Sequence, residues 1–160
     1  MTFDNSKTII SMRIKLFAAT VILLTYIVLA YIARMIRFPL LGLSDTAWTL
    51  ILVVLYLAYA FMPMYLTYQY IYFSDEGESF IFRYFTAGIV GGKKNSIEIS
   101  KASFSGYRTK ARFFGMIQII DLYQKLPEGV AKYPPLYVSS LSREERSKML
   151  KSLDSHAVRQ

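Results

Sequence analysis

The chain has 160 residues, 54% of them hydrophobic, and no cysteine, which excludes disulfides, thiolate metal sites and cysteine nucleophiles. Its single histidine, His156, is expected to be solvated, and one histidine supplies neither a histidine metal cluster nor a serine–histidine relay. The formal charge is +8, and it is unevenly placed: Lys7, Arg13 and Lys15 precede the first apolar block, Arg34 and Arg37 lie between two blocks, and every other basic residue follows Phe73.

Residues 1–15 show no core pattern apart from Ile9, Ile10 and Met12 and read as a short cytoplasmic tail. Leu16 to Ala33 is uncharged and flanked by basic residues on both sides. A cleaved signal peptide is the rival reading. Against it, the apolar stretch exceeds a usual h-region, Tyr31 stands where a small residue should precede a cleavage position at Ala33, and a second apolar block follows. A first span over about residues 16–36 is expected. Arg34 to Asp45 carries turn and helix-start signals in Pro39, Gly42 and Ser44-Asp45.

From Thr46 to Phe73 there is again no charge. A span needs only about 20 apolar residues, so this run holds a second span, about residues 46–66, and something more. In Thr67-Tyr68-Gln69-Tyr70-Ile71-Tyr72-Phe73 the residues alternate and aromatics dominate, which is strand chemistry. Trp48 and Tyr65, Tyr68 and Tyr70 fit aromatic belts at two membrane–water interfaces, and Pro63 is expected to kink the second span. Neither charge-free stretch, Leu16–Ala33 or Thr46–Phe73, holds a charged side chain, the usual mark of an ion path or proton relay. The basic bias predicts a hairpin in the cell (inner or cytoplasmic) membrane with both termini cytoplasmic.

After Phe73 the pattern is β. Asp75-Glu76-Gly77 is a turn cluster between strands expected over 67–73 and 79–86, with Phe80, Phe82 and Tyr84 on one face against Ile81, Arg83 and Phe85. Gly88 to Asn95 reads as a glycine- and lysine-rich loop. Ser96 to Ser100 resumes alternation, Ala102 to Thr109 continues it past a bulge, and Met116 to Tyr123 is apolar on both faces, as in a central strand. Lys125 to Lys132 reads as a loop and Leu136-Tyr137-Val138 as a short last strand. Ser142-Arg143-Glu144-Glu145 has capping-box spacing, Glu144 and Lys148 are an i,i+4 pair, and Met149, Leu150, Leu153 and Ala157 share a helix face.

The chemical motifs are weak. Thr86 to Lys94 superficially suggests a phosphate loop, but Ala87 stands where the first glycine belongs and Lys94 where a hydroxyl residue belongs. Asp75, Glu76 and Glu78 read as a solvated turn, since nothing in the pattern buries them. The basic residues Arg83, Lys93, Lys94, Arg108, Lys110 and Arg112 are the candidate binding set, because an anionic leaflet attracts each well-placed cation by about 1 kcal/mol. Nucleic acid is not expected, as the aromatics take alternating core positions and form no stacking platform. With 13 tyrosines and 11 phenylalanines, Tyr107, Phe113, Phe114, Tyr133 and Tyr137 exceed what one small core needs, and tyrosine beside arginine is an interface composition. Ala18, Ala19, Thr20, Ala58 and Ala60 would let another helix approach closely.

The segment Tyr72-Phe73-Ser74-Asp75-Glu76-Gly77 with Phe80-Ile81-Phe82-Arg83, and the helix start Leu141-Ser142-Arg143-Glu144-Glu145, resemble the opening and closing of a pleckstrin-homology-like roll or barrel in bacterial membrane-anchored proteins. The order of hairpin then β domain is also similar to that of the two-span photosystem I assembly factor of chloroplasts and cyanobacteria. The resemblance implies binding of lipid headgroups, peptides or proteins, and scaffolding in membrane complexes. The sequence reading is therefore a tail (1–15), a two-helix transmembrane hairpin (16–66) and a cytoplasmic pleckstrin-homology-like domain (67–160). It requires no cofactor, metal or catalytic residue. The expected role is that of a non-enzymatic accessory subunit or assembly factor binding other integral membrane proteins, with a binder of anionic lipid headgroups as the alternative.

Overall fold

In the computed structural model, which describes residues 1–87 and 92–157, the two apolar blocks become helices. The first, α1 (Ser6–Ile27), runs into a π-helical turn, Val28–Ile32, closed by the Ala33 N–H donating to the Val28 carbonyl at 2.8 Å. The second, α2, covers Asp45–Tyr65 with Pro63 inside it. Both are long and apolar enough to cross a membrane. At about 1.5 Å per residue α2 alone reaches roughly 30 Å, the thickness of a bilayer's hydrocarbon core. Of the most apolar stretch in each helix, 0% and 6% is buried, so neither is the core helix of a globular protein.

Ile10–Met62 is one compact unit, tied internally by hydroxyl pairs. Thr20 Oγ1 donates to the Leu16 carbonyl at 2.9 Å and so accepts from Tyr56 Oη, also at 2.9 Å. Thr49 Oγ1 donates to the Asp45 carbonyl at 2.8 Å and accepts from Tyr26 and Tyr31 at 3.1 and 2.7 Å. Residues five apart do not share a face of an α-helix; the i→i+5 winding of the π turn brings them together. Thr20 thus packs within the hairpin itself. Trp48 Nε1 donates to the Leu40 carbonyl at 2.9 Å, closing the connection that Leu40 and Leu43 also bridge.

Met1–Ile9 and Pro63–Gln160 form the second unit. Its first sheet joins β1 (Thr2–Asp4), β2 (Gln69–Ser74), β3 (Ser79–Thr86) and β4 (Asn95–Ser100) in sequence order, all antiparallel. Its second joins β5 (Phe104–Arg112), β6 (Ile117–Leu126) and β7 (Gly129–Lys132), with β8 (Leu136–Tyr137) also paired to β6. A final helix, α3 (Arg143–Asp154), carries the expected capping box: the Glu145 N–H donates to Ser142 Oγ and the Ser142 N–H to Glu145 Oε2. Met149 and Leu153 on α3 are fully buried with Phe73, Phe80, Phe82, Phe104, Ile120 and Leu122. Phe73 is the aromatic centre, with ring centroids 5.5 Å from Phe3 and 5.0 Å from Phe82.

Four expectations are corrected. Residues 1–15 are no tail: Thr2–Asp4 pairs with Tyr72–Ser74, and α1 begins at Ser6, whose N–H is accepted by Asp4 Oδ1 at 2.8 Å. Lys125 to Lys132 is a hairpin, with Leu126 opposite Gly129 and Lys125 opposite Val130; Pro127 sits in the turn, where no ladder donor is needed. Among the described residues there are eight short strands rather than six. The sheets do not close into a barrel: among the described residues no ladder joins the first sheet to the second, and β4 runs to β5 only through the 3₁₀ turn Lys101–Ser103. The expected glycine-rich loop falls partly on 88–91, outside the described residues.

Candidate functional site: the outer face of the second sheet

The basic candidates fall in two groups. Arg83 is on the outer face of β3, opposite Tyr72 and Ser96, with its guanidinium 5.6 Å from the Tyr72 ring centroid. It shares an open groove of about 460 Å³ with Lys94, Tyr70 and Phe85. Lys93 is exposed, and its carbonyl accepts from Asn95 Nδ2 at 3.2 Å.

Arg108, Lys110 and Arg112 alternate along β5 and therefore emerge on one face. Directly opposed residues share a face, which adds Ile117, Ile119, Asp121, Tyr123 and Lys125 of β6, Val130 and Lys132 of β7, and Tyr137 of β8. The core lies on the other side with Ile120 and Leu122. Even so, Ile117, Ile119 and Asp121 are buried, the last only 2% exposed. Arg112 and Lys110 stand opposite the two isoleucines, and Tyr137 stands opposite Ile119 from β8. Long stems of this kind cover apolar neighbours while the charge stays in water.

Asp121 organises this face. Its Oδ2 accepts from Lys110 Nζ at 2.7 Å and lies 3.0 Å from Lys132 Nζ, so one carboxylate on the central strand ties both flanking strands. The Lys110 ammonium holds the Asp121 carboxyl below its ordinary value, Lys132 assists, and burial opposes them. Lys110 is thus occupied by an internal ion pair. On the same face Arg108, Arg112 and Lys125 make no ion pair among the described residues. Sequence reasoning passed over Asp121, the one acid of β6; its place inside the apolar run Ile119-Ile120-Asp121-Leu122 was the available signal.

Arg108 also borders an open groove of about 580 Å³ with Tyr107, Tyr123 and Asp154. Tyr107 Oη donates to Asp154 Oδ1 at 2.6 Å, and burial, reinforced by that carboxylate, pushes the phenol up to about 12. The excess aromatics divide: Tyr107 and Tyr133 pack against the core, Tyr137 is half-buried, and Phe113 and Phe114 are exposed.

The acidic turn is not uniformly solvated. Glu76 and Glu78 are exposed, whereas Asp75 is half-buried: Ser152 Oγ of α3 donates to its Oδ2 at 2.5 Å, and the Met1 ammonium pairs with its Oδ1. Burial pushes the Asp75 carboxyl up, but the ammonium, Ser152 and Lys101 together hold it below its ordinary value. His156 is exposed, with its ring edge-on to Phe80 at 5.3 Å.

A second polar cluster, also unforeseen, surrounds Asn5, which is fully buried. Its Nδ2 donates to the Gln69 carbonyl and to Ser140 Oγ at 3.0 and 2.9 Å, and its Oδ1 accepts from the Ile71 N–H at 2.9 Å. Gln69 Oε1 in turn accepts from the Tyr137 N–H at 3.0 Å. The segment before α1, the start of β2 and the chain beyond β8 are thereby knotted together.

Together these features define a chain with two helices of membrane-crossing length and a two-sheet, mostly antiparallel β unit with a C-terminal helix. No family model, curated protein or solved structure matches it.

Proposed function

We propose that this is a membrane-anchored, non-enzymatic interaction protein, an accessory subunit or assembly factor of a larger membrane complex, whose helices form a transmembrane hairpin and whose β unit is pleckstrin-homology-like. The observation that carries the reading is the pairing of β1 and Asn5 with β2. Segments on both sides of the hairpin enter one sheet, so both ends must lie on the same side of a bilayer, which an even number of crossings satisfies. Only Leu66, Thr67 and Tyr68 separate α2 from β2, so the covalent connection is short. Two antiparallel sheets followed by a core-packed helix support the pleckstrin-homology-like assignment, and the basic bias supports a cytoplasmic location. The apolar exterior of the helices, including Phe17, Ile22, Leu50 and Leu55, offers partner helices a packing surface.

Purification of the tagged protein from its native membrane in mild detergent, with a high-salt wash, tests this. Recovery of a fixed set of membrane proteins is the expected result; recovery of the protein alone overturns it. The second reading, an anionic-headgroup binder, is favoured by the unpaired Arg108 and Arg112 on one face. It predicts lipid retention that is lost in high salt, because such attraction is screened within about 8–10 Å at ordinary ionic strength.

A further inference from the structure

The β5–β6 hairpin ends in Phe113-Phe114-Gly115-Met116. The Met116 N–H donates to the Phe113 carbonyl at 3.0 Å. Phe114 and Gly115 hold the central positions with φ of 52° and 85°, the positive-φ signature of a type I′ turn, and Phe113 before them is at 50°. Such turns favour asparagine followed by glycine, and a bulky residue at positive φ is strained. No packing compensates: Phe113 is 73% exposed, Phe114 106% and Met116 58%. In the same unit Phe73, Phe80, Phe82 and Phe104 are all buried, so the tip aromatics are exceptions. Behind them, at alternate positions of β5, stand Arg112, Lys110 and Arg108.

A protruding apolar tip followed by cations matches the layering of an anionic bilayer surface, where aromatic rings sit at the headgroup level and basic side chains meet lipid charge. The chain also carries two helices of bilayer length. We propose that the β5–β6 tip is a membrane-insertion loop: Phe113, Phe114 and Met116 enter the interfacial layer while Arg112 and Arg108 bind anionic headgroups. This inference rests on the reading of α1 and α2 as membrane spans.

Because the chain has no cysteine, single labels report cleanly. The full-length protein would carry an environment-sensitive fluorophore at M116C, at E128C on the β6–β7 turn, or at L55C on α2, in vesicles of phosphatidylcholine with or without phosphatidylglycerol. The M116C label is expected to shift to the blue and to be quenched by spin-labelled lipid when phosphatidylglycerol is present, while the E128C label stays aqueous. F113S/F114S should abolish the M116C response, and R108Q/R112Q should lower the ratio of inserted to free tip by about fivefold for each arginine removed. An aqueous M116C label beside a lipid-quenched L55C label overturns the insertion loop alone. A blue-shifted M116C label without lipid quenching also overturns it, since the tip is then buried against protein. An L55C label that lipid fails to quench overturns the transmembrane reading itself.

Discussion

Asn5 and Asp121 are single residues that each hold three segments together. Replacing Asn5 with alanine strands the Ile71 N–H and removes a donor from the Gln69 carbonyl in a buried site, where an unsatisfied group costs about 1–3 kcal/mol; thermal unfolding should register that loss, and an unchanged midpoint would mean that water replaces the side chain. At Asp121 the test is asymmetric. K110M/K132M leaves a buried carboxylate without an ammonium and should cost about 3–5 kcal/mol, whereas adding D121L to that pair should restore much of the loss. Denaturant titration of the two variants distinguishes them. Neither residue was legible in the sequence. Asn5 acts through partners far along the chain, and nothing local to Asp121 shows which lysines the neighbouring strands bring to it. The Phe80, Phe82 and Tyr84 face, by contrast, was readable because alternation alone places those side chains.

Elements differ in how openly the sequence declares them. The capping box of α3 and the β2–β3 hairpin rest on local chemistry, and both stand where their residues indicated. β1 has only three residues, too few for a pattern, and exists because β2 offers an edge. β7 escaped notice because its residues are mostly exposed, so no buried alternation marked it. At this scale the Tyr26, Tyr31 and Thr49 cluster joins the two helices across the π turn. T49V removes the shared acceptor and should weaken helix pairing by about 0.6–1.7 kcal/mol, the range of interhelical hydrogen bonds in membranes. Steric trapping in bicelles would measure it. F114N, which completes the Asn-Gly pair that the central positions of a type I′ turn favour, should raise the melting temperature of the protein in detergent; a lowered temperature would mean that the Phe114 ring packs.

For the molecule as a whole, acid is the informative perturbant. Asp75 links the β2–β3 turn to α3, and Asp121 links the strands of the second sheet. Both are held below the ordinary carboxyl value of 3.8. Each therefore contributes stability that is fully present above that value and is lost as pH falls through its lower folded value. Tryptophan is absent from the β unit, so near-ultraviolet circular dichroism of its tyrosines should follow the acid transition, and D121N should remove part of its pH dependence. The pairing of β1 with β2 has a further consequence, for biogenesis. Its partner strand is not synthesised until α2 is complete, so in a membrane-inserted chain residues 2–5 must wait on the side where β2 will emerge. A first helix threaded the wrong way strands them across the bilayer and leaves the β2 edge bare, a template for pairing with other chains. On the proposed transmembrane reading, only a correctly threaded hairpin can complete the first sheet.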